Sequence, residues 1–134
     1  MSTNNYEDKS DITFDSAEML HRNNKNNSSI HGYYYSCLQL INNFIVKNCK
    51  YTEAELLEKA KCKDSHNEIT NIVKDYFHSN NINPINLFSE LNIIKKQRVK
   101  ADYKMQLIIK SEADVVRSKT IYFRKQLKQF DNEI

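Results

Sequence analysis

Apolar residues recur along the chain at spacings of three and four, and the fullest such stripe runs through Tyr34, Cys37, Leu38, Ile41, Phe44 and Ile45. At 3.6 residues per turn these positions share one broad face, so a central helix is predicted near 29–49. The same period returns near 65–77, through Ile69, Ile72, Val73, Tyr76 and Phe77, and near 112–131, through Ala113, Val116, Thr120, Phe123, Leu127 and Phe130. A first helix near 13–24 (Phe14, Ala17, Leu20), a short helical turn near 53–61 and a helix from Pro84 to Tyr103 complete the set. Residues 1–10 are polar and unpatterned and read as a mobile tail ahead of one domain spanning 11–134. Strand evidence is confined to Gln106–Lys110, which is short, has no partner and reads as an extended connection.

Helix starts are legible in the polar positions. Asp15 and Glu18, Thr52 and Glu55, Ser65 and Glu68, and Ser111 and Asp114 each place a short oxygen-bearing side chain three residues before an acid. That spacing lets two side chains satisfy the orphan N–H groups of a first turn. Asn83 before Pro84 gives a cap followed by a proline at the first helical position. The 17 asparagines concentrate at 23–27 and 80–86, where helices must be joined, and asparagine tolerates the left-handed backbone that such turns require.

Composition narrows the classes. With one glycine and one proline in 134 residues, hairpin-rich β folds, dinucleotide-binding fingerprints and phosphate loops lack the glycines they need. The expectation is an all-α, up-and-down bundle of four to five helices. Lys and Arg number 20 against 17 Asp and Glu, a formal excess of +3, which is too small for an affinity built on many duplex phosphate contacts. Cys37, Cys49 and Cys62 form no close pair, so neither a disulfide framework nor a zinc site is signalled. No apolar run approaches the roughly 20 residues of a membrane span, and the polar start has no secretory stretch, so a cytoplasmic location is expected. Four histidines without i, i+4 spacing argue against a metal, and no cofactor is called for.

The helix from Pro84 to Tyr103 breaks its own pattern. Its stripe passes through Leu87, Leu91 and Ile94, and the next position is Arg98. A guanidinium on a core stripe must be paired, lie at an interface or face a cleft. Asp102 follows at i+4 and Tyr103 beside it, while Lys95, Lys96, Lys100 and Lys104 make the neighbourhood basic. An arginine fork can hold a phosphate through paired hydrogen bonds, and a neighbour could orient a ribose hydroxyl. The structural alternative is an ion pair that locks helix ends together.

The stretch Lys96-Gln-Arg-Val-Lys-Ala-Asp-Tyr103, the following Leu107–Ala113, and the upstream Ser16–Leu20 with Ile30-His-Gly-Tyr-Tyr-Tyr-Ser36 resemble the HEPN (higher eukaryotes and prokaryotes nucleotide-binding) family. The resemblance implies a helical bundle, commonly a homodimer, found in prokaryotic defence or toxin–antitoxin pairs, often beside a minimal nucleotidyltransferase partner. Active members carry Arg, four to six residues, then His, and cut RNA without metal. Here Arg98 matches the arginine, but Tyr103, Lys104 and Met105 stand where the histidine belongs, and the last histidine of the chain is His78. A phenol with an ordinary pKa near 10 is a poor base where an imidazole near 6.5 is a good one.

The expectation is therefore an RNA- or nucleotide-binding protein with an Arg98-centred cleft at a dimer interface and weak or absent catalysis. A metal-independent endoribonuclease and a non-catalytic helical interaction module are the alternatives. The candidate catalytic residues are Arg98, Asp102 and Tyr103. The candidate RNA- or nucleotide-binding residues are Arg98, Lys100, Lys104, His66 and His31, the two histidines being able to replace the missing base if folding brings them to Arg98. Of Tyr33, Tyr34 and Tyr35, consecutive on one helix, one or two must be core and the rest can stack on a base.

Overall fold

The computed structural model of the chain describes residues 5–133. Among them are six helices and no strand: α1 (Tyr6–Arg22), α2 (Asn26–Asn48), α3 (Glu53–Ala60), α4 (Ser65–Ser79), α5 (Ile85–Tyr103) and α6 (Lys110–Glu133). The all-α class follows as expected, with the eight-residue α3 raising the helix number above four or five.

The bundle is organised around α2, which packs against α1, α4, α5 and α6, while α5 lies on α6 and α3 on α4. Its stripe residues Tyr34, Cys37, Leu38, Ile41, Phe44 and Ile45 are all buried, as is Ile30 on the same face, and so are Tyr33, Leu40 and Asn43 beside it. A helix buried nearly all round is a core element, and the other helices cover it with one face each. Ile69, Val73 and Phe77 come from α4, Leu87, Phe88, Leu91 and Ile94 from α5, and Ala113, Val116, Phe123 and Leu127 from α6. Edge-on ring contacts of Phe77 with Phe44 and of Phe88 with Phe123 fill the centre.

Among the described residues three non-glycine residues adopt left-handed backbone, two of them asparagines and the third Lys50, with φ of 59°, after α2. Asn24 and Asn81 adopt left-handed backbone, each with φ of 60°, just after α1 and α4. Of the four predicted cap pairs, only Thr52 and Glu55 form a reciprocal capping box, at the start of α3. Asn83 accepts a hydrogen bond from the Ile85 backbone at the start of α5.

Two expectations are corrected. Helix α1 begins at Tyr6, so residues 6–10, read as tail, are helical; residues 1–4 lie outside the described residues. The reason is a polar anchor: Ser10, fully buried, donates to the Ser36 carbonyl of α2 at 2.6 Å and receives Nη1 of Arg124 from α6. Arg124 also bonds Asp11 at 2.6 Å and covers the ring of Phe14. Asp15 accordingly sits inside α1, and its presumed capping partner Glu18 is used elsewhere. Glu18 takes two bonds from Arg117, at 2.7 and 2.9 Å, and one from the Tyr33 hydroxyl at 2.5 Å. The Arg117 hydrogen bonds hold the Glu18 carboxyl below its usual pKa, and burial raises that of Tyr33.

Candidate functional site

Arg98 lies on the buried stripe of α5, as its spacing requires, and is 6% exposed. One turn further on, α5 ends with Asp102 and Tyr103. Against this helix end α2 presents His31, Tyr34 and Tyr35, which at i, i+3 and i+4 share one face. The first turn of α4 brings His66.

The guanidinium of Arg98 is held among aromatic rings. Its central carbon lies 5.0 Å from the ring centroid of Tyr34, 5.7 Å from that of Tyr35 and 5.6 Å from that of Tyr103. Ring faces attract a cation that has lost part of its water, which offsets some of the burial cost. Hydrogen bonding offsets little. Nη1 reaches the Tyr103 hydroxyl at 3.4 Å and Asp102 Oδ2 at 3.6 Å, both long, and Nε is buried without a partner in the protein.

Asp102 is committed more tightly to a histidine. Nδ1 of His31 donates to Asp102 Oδ2 at 2.8 Å, and Tyr35 lies against the imidazole with ring centroids 4.6 Å apart. The His31 side chain is half exposed. His66 faces the cluster from the other side, its Nδ1 3.0 Å from the Tyr34 hydroxyl. Burial, then the charges of Arg98 and Lys95, lowers the His66 pKa, while burial pushes Tyr34 up to about 12 against the pull of Arg98. Both groups are neutral at pH 7 and share one hydrogen bond.

Folding therefore joins Arg98, Asp102, Tyr103, His31 and His66 in one cluster. The remaining candidates lie outside it. Lys100 turns to α6 and bonds Glu112 at 2.6 Å. Lys104 is exposed just beyond the helix end. The tyrosines divide as expected, Tyr33 and Tyr34 being buried and Tyr35 partly exposed. An open cleft of about 500 Å³ lies beyond the His31–Asp102 pair, between α1, α2 and the end of α5, and Arg98 is not among the residues that line it. Spacing does not reveal this cleft, because its small floor residues carry no periodic signal.

Among the described residues no group of three or more His, Cys, Asp or Glu is placed to hold a metal ion. No helix among them is long and apolar enough to cross a membrane. Comparisons with protein-family models, curated proteins and solved structures gave no match to this chain.

Proposed function

We propose that this chain is a HEPN-like RNA- or nucleotide-binding protein of a prokaryotic defence or toxin–antitoxin type system, acting as a homodimer, in which Arg98 holds a phosphate. The observation that carries the reading is the unmet hydrogen-bonding capacity of Arg98. The two other arginines with described bonds have short ones: Arg117 grips Glu18 at 2.7 and 2.9 Å, and Arg124 bonds Asp11 at 2.6 Å. Arg98 reaches Tyr103 and Asp102 at 3.4 and 3.6 Å, shares the Tyr34 hydroxyl, and keeps a buried Nε with no partner. A phosphate oxygen offers charge-assisted bonds near 2.8 Å in their place. Tyr103, the last residue of α5 and 73% exposed, can swing aside at the loss of one long bond and one of three ring contacts to Arg98.

The test is fluorescence polarisation with single-stranded RNA and nucleoside monophosphates. Arg98→Met abolishes binding while circular dichroism shows the helices intact, and the salt dependence is shallow because few phosphates are contacted. Undiminished binding by Arg98→Met overturns the reading. Sedimentation tests the homodimer independently: a monomer at micromolar concentration removes it.

A second reading, a metal-independent endoribonuclease, is favoured by one observation. His31, fixed by Asp102 at 2.8 Å, stands beside Arg98 and supplies from α2 the imidazole that the end of α5 lacks. Cleavage of RNA in EDTA by the wild type, absent in Arg98→Met and in His31→Ala, would support it; intact RNA under the same conditions leaves binding alone.

A further inference from the structure

The open cleft beyond His31 exists because its floor is small. Ala17 of α1 faces Gly32 of α2, where a Cβ would meet the Ala17 Cβ at 3.0 Å, and Ala101 of α5 adds no bulk. The walls are mixed in character. Thr13 and Ser16 on α1 and Ser28 on α2 line it with hydroxyls. Ile12, 65% exposed, supplies an apolar edge. At about 500 Å³ the cleft falls within the range of small-molecule sites, roughly 300–1,000 Å³, with room for one base and its sugar.

One wall of the cleft has a defined hydrogen-bonding polarity. Because Nδ1 of His31 donates to Asp102, the neutral imidazole carries no proton on Nε2, which is then an acceptor only. Tyr35 holds the ring plane, and the side chain is half exposed. A ligand meeting Nε2 must bring a donor. The same Asp102 oxygen that receives His31 lies 3.6 Å from Arg98, so a hydroxyl at His31 and an anion at Arg98 would be separated by one side chain. A ribonucleotide carries these two groups on neighbouring carbons of its sugar, and the 2′-hydroxyl is a donor that a deoxyribonucleotide lacks.

We propose that the cleft between α1, α2 and α5 takes the ribonucleoside part of a ribonucleotide and that Nε2 of His31 accepts its 2′-hydroxyl, making His31 the residue that selects ribose over deoxyribose. The proposal rests on the reading of Arg98 as the phosphate holder.

Calorimetry at pH 8 tests it with adenosine 3′-monophosphate, its 2′-deoxy counterpart and inorganic phosphate, and with a matched pair of short single-stranded RNA and DNA oligomers. The ribonucleotide binds about fivefold tighter than the deoxynucleotide, the worth of one ordinary hydrogen bond. His31→Phe lowers ribonucleotide affinity to the deoxynucleotide level. Ser16→Leu, which fills the cleft from an exposed helical position, reduces nucleotide binding to that of inorganic phosphate and leaves phosphate binding unchanged. A preference seen only with the oligomers identifies an RNA strand as the occupant, and one seen already with the monophosphate identifies a free nucleotide. Equal affinity for ribose and deoxyribose in the wild type, or nucleotide binding unaffected by both variants, overturns the proposal while Arg98-dependent phosphate binding stands. Phosphate binding that survives Arg98→Met removes the Arg98 reading itself.

Discussion

Arg98 and Asp102 stand one helical turn apart on α5, yet guanidinium and carboxylate approach only to 3.6 Å, and the carboxylate oxygen between them is taken by His31 at 2.8 Å. An i, i+4 pair that would ordinarily be a helix staple is thus loose on the arginine side and tight on the histidine side. The arginine depends on aromatic faces for much of its environment.

Replacement of Arg98 separates stability from binding. Arg98→Met keeps the apolar stem on the α5 stripe and removes a desolvated, loosely paired charge, so it changes unfolding free energy by less than about 1 kcal/mol or raises it. Arg98→Ala leaves a cavity and costs about 2–3 kcal/mol. Urea unfolding measures both. A loss above about 3 kcal/mol in the methionine variant would identify Arg98 as a structural tie.

His66 makes stability fall on mild acidification. Its folded pKa lies below 6.5, so under pH 6.5 the unfolded chain binds the proton more readily, and stability declines as pH falls through the folded value. Urea midpoints at pH 7.5 and 5.5 record the decline, and His66→Asn reduces it. In Arg98→Met, the NMR titration of His66 moves up because one of its depressing charges is gone. It stays below 6.5 because burial, the larger cause, remains. An unmoved titration would mean that the two side chains do not face each other.

At the alkaline end the two buried phenols act together. Tyr34 is pushed up to about 12 and Tyr33 is raised as well, so above pH 10 the unfolded chain loses these protons first. The stability they give is complete below pH 10 and is lost as pH rises through their folded values. Tyr34→Phe, followed by urea midpoints at pH 9 and 11, flattens part of that loss.

The Ser10 anchor predicts that the chain start is structural. Ser10→Ala leaves the Ser36 carbonyl and a guanidinium N–H of Arg124 short of a partner inside the bundle, at a cost of about 1–3 kcal/mol. Deletion of residues 1–11 lowers the melting temperature by several degrees. A truncated chain as stable as the whole would contradict the Ser10 anchor that ties α1 to α2 and α6.

Gly32→Ala opposes two effects. Alanine gains about 1 kcal/mol of helix propensity over glycine, but its Cβ would stand 3.0 Å from that of Ala17, and such overpacking costs about 1–3 kcal/mol. The neighbouring atom is a methyl on a second helix, so relief requires α1 to shift. A net loss of about 1 kcal/mol in thermal unfolding is expected, and a stabilised variant would show that α1 yields easily.

The amino-acid sequence determined the helices wherever a face is greasy, because a 3.6-residue period is a local property that survives without knowledge of neighbours. It also marked Arg98 as the break in the α5 stripe and asparagine as the turn former. What it did not determine is where polar groups find partners. The start of α1 was hidden because Ser10 is buried by hydrogen bonds to Ser36 and Arg124, residues 26 and 114 positions away. Three of the four cap patterns misled for a related reason: Glu18 serves Arg117 and Tyr33, Glu68 lies 3.5 Å from Lys59, and Asp114 bonds His21. Only tertiary packing decided that His31 and His66 stand at Arg98 while Lys100 turns away to Glu112. Pairing of polar side chains depends on which helix faces travel together through the fold, and that is fixed by the burial of apolar surface elsewhere in the bundle.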